Sequence, residues 1–386
     1  MTEWIECTLD KLGEIVGGAT PSTKCEDYYG GSIPWITPKD LSSFKGRYIT
    51  SGERNITEKG LASCSAQMMP KDAVLFTSRA PIGYVAIASQ SVCTNQGFKS
   101  IVVNEKADPL FVYYLLKYNK DAIEAMGSGT TFKEVSGKTM RAVKVRIPLD
   151  VSYQKRIAAV LDSLDTKIEN NERINDNLLA QAQTLYKQFF PYGVQDDLPD
   201  GWRIGTVGEI IEIHDSKRIP LSGADRTKME KKIYPYYGAA SLMDFVDNYI
   251  FDGKYLLLGE DGTVVDDAGY PILQYVWGQF WVNNHAHILT GRLGYDVESL
   301  YMLFKQTPVK SIVTGAVQPK ISQANLRSVQ VVIPPEHNLR EYNDLVEPLF
   351  SLFRANEEEC KTFTALRDML LPKLMSGEID VSAVQL

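Results

Sequence analysis

The sequence predicts an α+β chain in which two pseudo-symmetric globular units are separated by two long antiparallel helices forming a coiled coil. Three observations predict it. Two blocks recur in the same order in each half, a glycine-free stretch with heptad-spaced apolar residues follows each half, and the intervening segments read as short strands and turns.

The first recurring block is Trp4–Ile15, WIECTLDKLGEI, which aligns without gaps on Trp202–Ile213, WRIGTVGEIIEI, at a shift of 198. Trp4/Trp202, Thr8/Thr206, Glu14/Glu212 and Ile15/Ile213 are identical, and Leu9/Val207 and Leu12/Ile210 are similar. The second block is GTTFKEVSGKTMRAVKVRIPL at 129–149, which aligns on GAVQPKISQANLRSVQVVIPP at 315–335 with seven of 21 positions identical. Each half is therefore one globular unit with one further segment behind it. Within the units, VLFTSRAPIGYVAIA (74–88) and YLLLGEDGTVV (255–265) are rich in strand formers with turn signals, and VKVRIP and VQVVIP are short closing strands.

In 152–190, Ile157, Leu161, Leu164, Ile168, Leu178, Ala182, Leu185 and Phe189 follow alternating steps of four and three, the seam of a coiled coil. In 337–371, Tyr342, Leu345, Leu349, Leu352, Phe363, Leu366 and Leu370 follow the same rule. Pro348 predicts a kink or a late start in the second helix, and Pro372 with Gly377 is expected to close it. The alternative for both stretches is an amphipathic helix buried on its own domain. The linker PYGVQDDLPDGW (191–202) marks a domain edge. The expected division is a first unit at 1–150, a helix at 151–191, a second unit at 192–335, a helix at 336–375 and a tail at 376–386.

A chain of 386 residues suits two globular units with connectors. No apolar run approaches the ~18 residues of a membrane span, and the N-terminus shows neither a basic start nor an apolar stretch, so no export signal is read. Five cysteines form no CxxC pair, which fits a reducing cytoplasm better than a disulfide or zinc framework. The net charge of −7 is unevenly placed: +2 over 1–150, zero over 151–192, −4 over 193–335 and −5 over 336–386. Locally, Lys133, Lys138, Arg141, Lys144 and Arg146 meet only one acid, Glu134, within 130–148. A net-acidic chain binds nucleic acid through such local patches rather than by long-range steering.

The duplicated plan with two long helices resembles the specificity subunit of Type I restriction–modification systems over essentially the whole chain. The stretches GGATPSTKCEDYYGGSIPWITPKDL (17–41), SRAPIGYVAI (78–87) and TNQGFKSI (94–101) carry the likeness in the first half. YPYYGAAS (234–241), YIFDGKYLLLGEDG (249–262) and GQFWVNNHAHIL (278–289) carry it in the second, and LRDMLLPKLMSGEI (366–379) is similar to the family's C-terminal end. The resemblance implies two target-recognition domains, each reading half of an interrupted double-stranded DNA site. It also implies helices that dock two DNA adenine methyltransferase subunits and then ATP-driven restriction subunits. S-adenosylmethionine, ATP and Mg are then expected in those partners, with no cofactor and no catalytic site in this chain.

Other motifs point elsewhere only superficially. Ser136-Gly137-Lys138-Thr139 looks like the end of a P-loop, but Phe132 stands where the required glycine belongs. His285 and His287 would share one face of a strand, yet with no cysteine nearby and no evident third ligand a structural or DNA-facing role is expected over metal binding. The single Pro-Pro, Pro334-Pro335, lacks the polar and aromatic partners of a methyltransferase motif. Acidic pairs such as Asp266-Asp267 and Glu260-Asp261 read as turn charges. Arg reaches guanine bidentately, Asn and Gln pair with adenine, and Lys, Ser and Thr hold phosphate. On that chemistry the DNA-contacting candidates are Thr37, Lys39, Ser78, Arg79, Tyr84, Asn95, Gln96, Lys99 and Lys133 in the first unit. In the second they are Tyr236, Tyr237, Asn283, Asn284, His285, Gln318 and Lys320. Turn capping by Asn and Ser, and core packing by the tyrosine pair, are the competing roles. The competing function is a coiled-coil scaffold that assembles proteins without reading DNA.

Two expectations follow for the helices. Stepping from Ile168 puts Asn171 and Asn175 on the seam, and Asn356 falls on the seam of the second helix, so a buried polar layer that fixes register is expected. A helix of 39 residues spans ~58 Å, so the pair is expected to act as a ruler between half-sites.

Overall fold

Lys144–Ile147 alternates exposed and buried side chains, Trp4–Thr8 is half-buried except at Glu6, and the two strands pair antiparallel from Trp4 opposite Pro148 to Thr8 opposite Lys144. The computed structural model describes residues 3–129, 133–315 and 317–385. It divides into two units, Met1–Glu172 with Glu357–Leu386, and Arg173–Asn356. The division falls inside both long helices, so each unit keeps half of each rather than leaving the helices apart. The cause is burial: Ile157, Leu161 and Leu374 belong to the core of the first unit, and Ala182, Tyr342 and Phe350 to that of the second.

In the first unit, a five-stranded sheet runs in the order Gly13–Gly17, Lys99–Val103, Val74–Ser78, Ile82–Ala88 and Tyr48–Ile49. A three-stranded sheet centres Tyr29–Ile36 between Arg54–Ile56 and Cys93–Thr94. The helix Pro109–Tyr118 starts on a proline behind Asp108, whose carboxylate accepts the Phe111 N–H. It buries Phe111, Tyr114 and Leu115 against Val74, Phe76 and Ile101. Arg47 ties this domain to its helix: it is buried, and its guanidinium donates to the Asp162 carbonyl, Thr166 and Glu169, each at 3.0 Å.

The second unit repeats the plan. Arg203–Thr206 pairs antiparallel with Gln330–Ile333. One four-stranded sheet orders Ile211–Ile213, Ala286–Gly291, Tyr255–Gly259 and Leu273–Val276. Another orders Leu242–Val246, Tyr234–Tyr237, Gln279–Val282 and Phe251–Asp252. Asp296 caps the helix Val297–Phe304 as Asp108 caps its counterpart. Both units share an equivalent short parallel contact, Trp35 and Ile36 beside Cys93 and Thr94, and Tyr236 and Tyr237 beside Trp281 and Val282, and the first unit adds another, Tyr48 and Ile49 beside Ile87 and Ala88.

The long helices are Val151–Phe189 and Glu336–Ser376. Pro348 neither breaks nor delays the second: it lies exposed within the continuous helix, where water can serve the carbonyl its missing N–H leaves free. Pro372 does not end it either. Gly377 does, at φ +80°, with the Glu378 N–H donating back to the Lys373 carbonyl at 2.9 Å. The seam of the second helix also differs from the expected stripe. Leu345 and Leu352 are exposed, and the buried line is Leu339, Tyr342, Val346, Phe350 and Asn356. Contacts within each unit run antiparallel. Ile168 and Asp165 meet Cys360 and Arg367 in the first, and Asn175 and Ala182 meet Asn356 and Tyr342 in the second.

The polar seam residues are buried as the spacing implies. In the first unit, Asn171 donates to the Glu359 carboxylate at 3.0 Å. In the second, Asn356 donates to the Asn175 side-chain oxygen at 2.9 Å, and Asn175 donates to the Phe353 carbonyl at 3.3 Å. All five cysteines are free thiols. Among the described residues no helix is long and apolar enough to cross a membrane.

Candidate nucleic-acid interface

Three loops meet at one edge of the first domain because backbone hydrogen bonds lace them together. The Ser78 N–H donates to the Gly97 carbonyl (2.7 Å), the Val135 N–H to the Ser78 carbonyl (3.0 Å), and the Asn95 N–H to the Ile36 carbonyl (3.0 Å). The Asn95 side-chain oxygen accepts the Gly97 N–H at 2.8 Å, an Asx turn that sets the loop.

The second domain contains the same lacing, bond for bond. Glu260 N–H donates to His285 (2.8 Å), Ile321 N–H to Glu260 (2.8 Å) and Asn283 N–H to Tyr237 (3.0 Å). The Asn283 oxygen accepts the His285 N–H at 2.8 Å. A third loop is closed in both by the same antiparallel bridge, Ser128 with Glu134 and Thr314 with Lys320. Ser136 and Ser322 then cap the helices that follow, through the Thr139 and Asn325 N–H groups. The P-loop-like Ser136-Gly137-Lys138-Thr139 is thus a helix start. Phe132, the position that denies a phosphate cradle, lies outside the described residues.

This frame brings together Arg79, Asn95, Gln96, Lys99 and Lys133 in the first domain, and Asn283, Asn284, His285, Gln318 and Lys320 in the second. Gln96, Lys133, Asn284, Gln318 and Lys320 are exposed, and Arg79, Asn95, Lys99 and His285 half-buried. Three candidates are corrected. Ser78 has no exposure, and its hydroxyl donates to Gly97. Asn283 is buried, its oxygen used in the turn and its amide facing the Met243 sulfur at 3.3 Å. Tyr236 is buried under Arg226, with its hydroxyl accepting the Leu221 N–H. A side chain closed off from solvent and already bonded cannot reach a base edge without rearrangement.

The other candidates have other placements. Thr37 caps the short helix Pro38–Ser42 in a capping box with Asp40, and Pro38 packs on Gly97. Exposed Lys39 pairs with Glu53 at 2.8 Å, and that hydrogen bond raises its pKa. Tyr84 packs against the core that holds Leu41 and Ile49, and Tyr237 packs edge-on to Phe280. The basic run 133–146 does not form one patch: Arg141 turns to the Ile15 carbonyl, and Arg146 lies over Trp4.

Charge at the two edges is arranged with opposite polarity. In the first domain Glu134, on the third loop, accepts from Arg79 at 3.3 Å and faces Lys99 at 3.6 Å. In the second domain the acid is on the strand end. Glu260 takes Arg218 at 2.6 Å and Lys320, from the third loop, at 3.2 Å. Asp261 in turn pairs with His285. Behind this edge, Asp215 accepts from His287 (2.6 Å), Gln323 (2.6 Å) and the Ile288 N–H (3.0 Å). Burial would push the Asp215 carboxyl up, but the hydrogen bonds from His287 and Ile288 and the Arg218 charge hold it below its ordinary value. For Glu260, burial is likewise outweighed, chiefly by the hydrogen bond from Arg218.

Asp215, Glu260 and His287 offer three possible metal-ligand atoms within 4.8 Å. The donor set does not suit an ion. Arg218 and Lys320 already occupy the Glu260 oxygens, and each ring nitrogen of His287 faces an oxygen, Asp215 at 2.6 Å and the Ile321 carbonyl at 2.8 Å. No ring lone pair is turned toward a metal. Sequence reasoning missed Arg218, Asp215 and the counter-ion roles of Glu134 and Glu260. One signal for the frame was present: TNQGFKSI and VNNHAHIL align at a shift of 188 on Asn95 and Asn283.

A family model for the Type I restriction modification DNA specificity domain matches residues 1–180 and 199–359. The Type I restriction enzyme MjaIX specificity subunit of Methanocaldococcus jannaschii is 31% identical over 413 residues, covering 98% of this chain and 94% of the relative. The EcoprrI specificity subunit of Escherichia coli is 24% identical over 345 residues, covering 86% and 83%. The crystal structure of a Type I restriction–modification S subunit from M. genitalium superimposes with a TM-score of 0.61 at 18% identity, covering 97% of this chain and 96% of that one. That last likeness is one of fold.

Proposed function

Since the chain belongs to the Type I restriction–modification DNA specificity family, we propose that each of its domains reads one half of a bipartite double-stranded DNA target. The family's specificity subunits are non-catalytic and supply DNA target specificity. In the finer reading, the two long helices dock two DNA adenine methyltransferase subunits, and the restriction subunits join that assembly. S-adenosylmethionine, ATP and Mg act in those partners, in the cytoplasm, and the exposed side chains of the laced loops select the bases.

One observation carries this reading: the loop frame recurs bond for bond in both domains, while the exposed residues on it differ. Gln96 stands where Asn284 does and Glu134 where Lys320 does, so equivalent supports present different hydrogen-bonding groups. Phosphate contacts position such an edge and base-edge contacts make it selective. The test is a domain exchange. Residues 202–335 are replaced by the second domain of a relative, and methylated adenines are mapped in the host genome. One half of the recognised site should change and the other should stay. A change in both halves, or in neither, overturns the modular reading.

A further inference from the structure

Glu134 is the only acid among the five cations of 130–148, and the fold places it between two cations of the candidate reading edge. One oxygen takes Arg79 at 3.3 Å and the other faces Lys99 at 3.6 Å. Its geometry is loose and its side chain is 39% exposed, so water and salt can compete with it. The carboxylate at the second domain's edge comes from a different position and is built otherwise. Glu260 is 13% exposed, is held by Arg218 at 2.6 Å and Lys320 at 3.2 Å, and rests on a buried histidine and aspartate. Removing it would take the nearer of two carboxylates from the half-buried Arg218, leaving Asp215 at 3.4 Å. Glu134 has no such substructure. Its loop is held by its backbone, through the Ser128 bridge and the Val135–Ser78 hydrogen bond, rather than by its carboxylate.

We propose that Glu134 is a displaceable counter-ion, holding Arg79 and Lys99 until a DNA phosphate takes its place on the first domain. Each engagement of that domain then exchanges a carboxylate for a phosphate, and the sequence-independent grip of the two cations is weakened. In the second domain Glu260, held by Arg218 and Lys320, does not offer the same exchange. The inference rests on the DNA-reading function proposed above.

The test uses the complex purified through a tag on the full chain, with a duplex carrying the mapped target and one with the first half-site scrambled. Binding is measured across a salt series for wild type, Glu134→Gln, Arg79→Gln/Lys99→Gln and the triple variant. Glu134→Gln should bind the scrambled duplex more tightly, with the logarithmic salt slope steeper by ~1–2, since each freed phosphate contact adds about 0.9. In the background lacking Arg79 and Lys99 the same substitution should add nothing. Unchanged or weaker binding by Glu134→Gln overturns the proposal. So does a gain that persists in the triple variant, which would be a general effect of removing one negative charge. Thermal melting checks that each variant is folded. If wild type fails to prefer the target duplex, the reading of the function falls instead, whatever the variants do.

Discussion

Asp215 collects four donors, from His287, Gln323, Ile288 and Arg218, in a position with almost no solvent contact. The consequence for stability has a sign. Its folded-state pKa lies below the ordinary 3.8, and that of Glu260 below 4.5. The stability they contribute is therefore present above those values and lost as pH falls through their folded-state values. Asp162 and Glu169 beside Arg47 behave oppositely. Burial outweighs the Arg47 charge and raises both, so their contribution is present at low pH and lost as pH rises. Asp215→Asn should lower the melting temperature near neutrality and flatten the loss of stability between about pH 5 and pH 2. An acid limb identical to wild type would show that the cluster does not carry it. Legibility at this scale was partial. Residue chemistry picked out Arg79, Lys99, Asn95, His285 and Lys320, which the fold does bring to the two edges. It also picked Ser78, Asn283 and Tyr236, which burial removes, because a hydroxyl or amide that reads a base is chemically the same group as one that holds a turn. Arg218 escaped notice and Glu260 was read as a turn charge, since their pairing joins residues 42 apart.

Each helix was visible in the sequence as a glycine-free apolar repeat; the first buries the face read from it, at Ile157, Leu161, Leu178 and Ala182, but the second does not. Between 345 and 353 apolar residues lie on two adjacent rows, Leu345, Leu349 and Leu352 beside Val346, Phe350 and Phe353. Spacing alone admits either row, and packing against the domain chooses the second. Pro372 was misread for a related reason: a proline is excluded only where its missing N–H and its ring meet buried neighbours, and this one is exposed. The asparagines were legible because polar residues on a seam stand out. Their pairing makes the expectation more specific than simple destabilisation by polarity. Asn175→Leu leaves the Asn356 amide without its oxygen, and Asn356→Leu does the converse, so each single change should cost about 1–3 kcal/mol. The double Leu variant should regain that loss or exceed it, as apolar seam layers do, with looser register. Chemical denaturation of the four proteins gives the cycle. A double variant no better than the sum of the singles would mean that the two amides act independently.

For the whole molecule, duplication was the most legible feature, because both recurring blocks encode the same closing strands, Trp4–Thr8 with Lys144–Pro148 and Arg203–Thr206 with Gln330–Ile333. The division of the helices between the two units was not legible, since it depends on which apolar side chains join which core. That division bears on the spacer of the bipartite target proposed above. Both helices continue without a break through the point where the chain divides, over 39 and 41 residues. A change in their length therefore tests whether the helices set that spacer. One heptad added to each helix beside Asn171 and Asn356 keeps the seam in phase and lengthens each by ~10 Å. At ~3.4 Å per base pair, the preferred spacer between half-sites should grow by about three base pairs, with both half-sites unchanged. Sites selected from a library of randomised spacers would report it directly. Adding the heptad to one helix alone should instead break the pairing of Asn175 with Asn356 and lower stability without a defined spacer. If the paired insertion left the spacer as it was, the distance between half-sites would be set by something other than these helices, and the methyltransferase subunits proposed to dock on them would be the element to alter next.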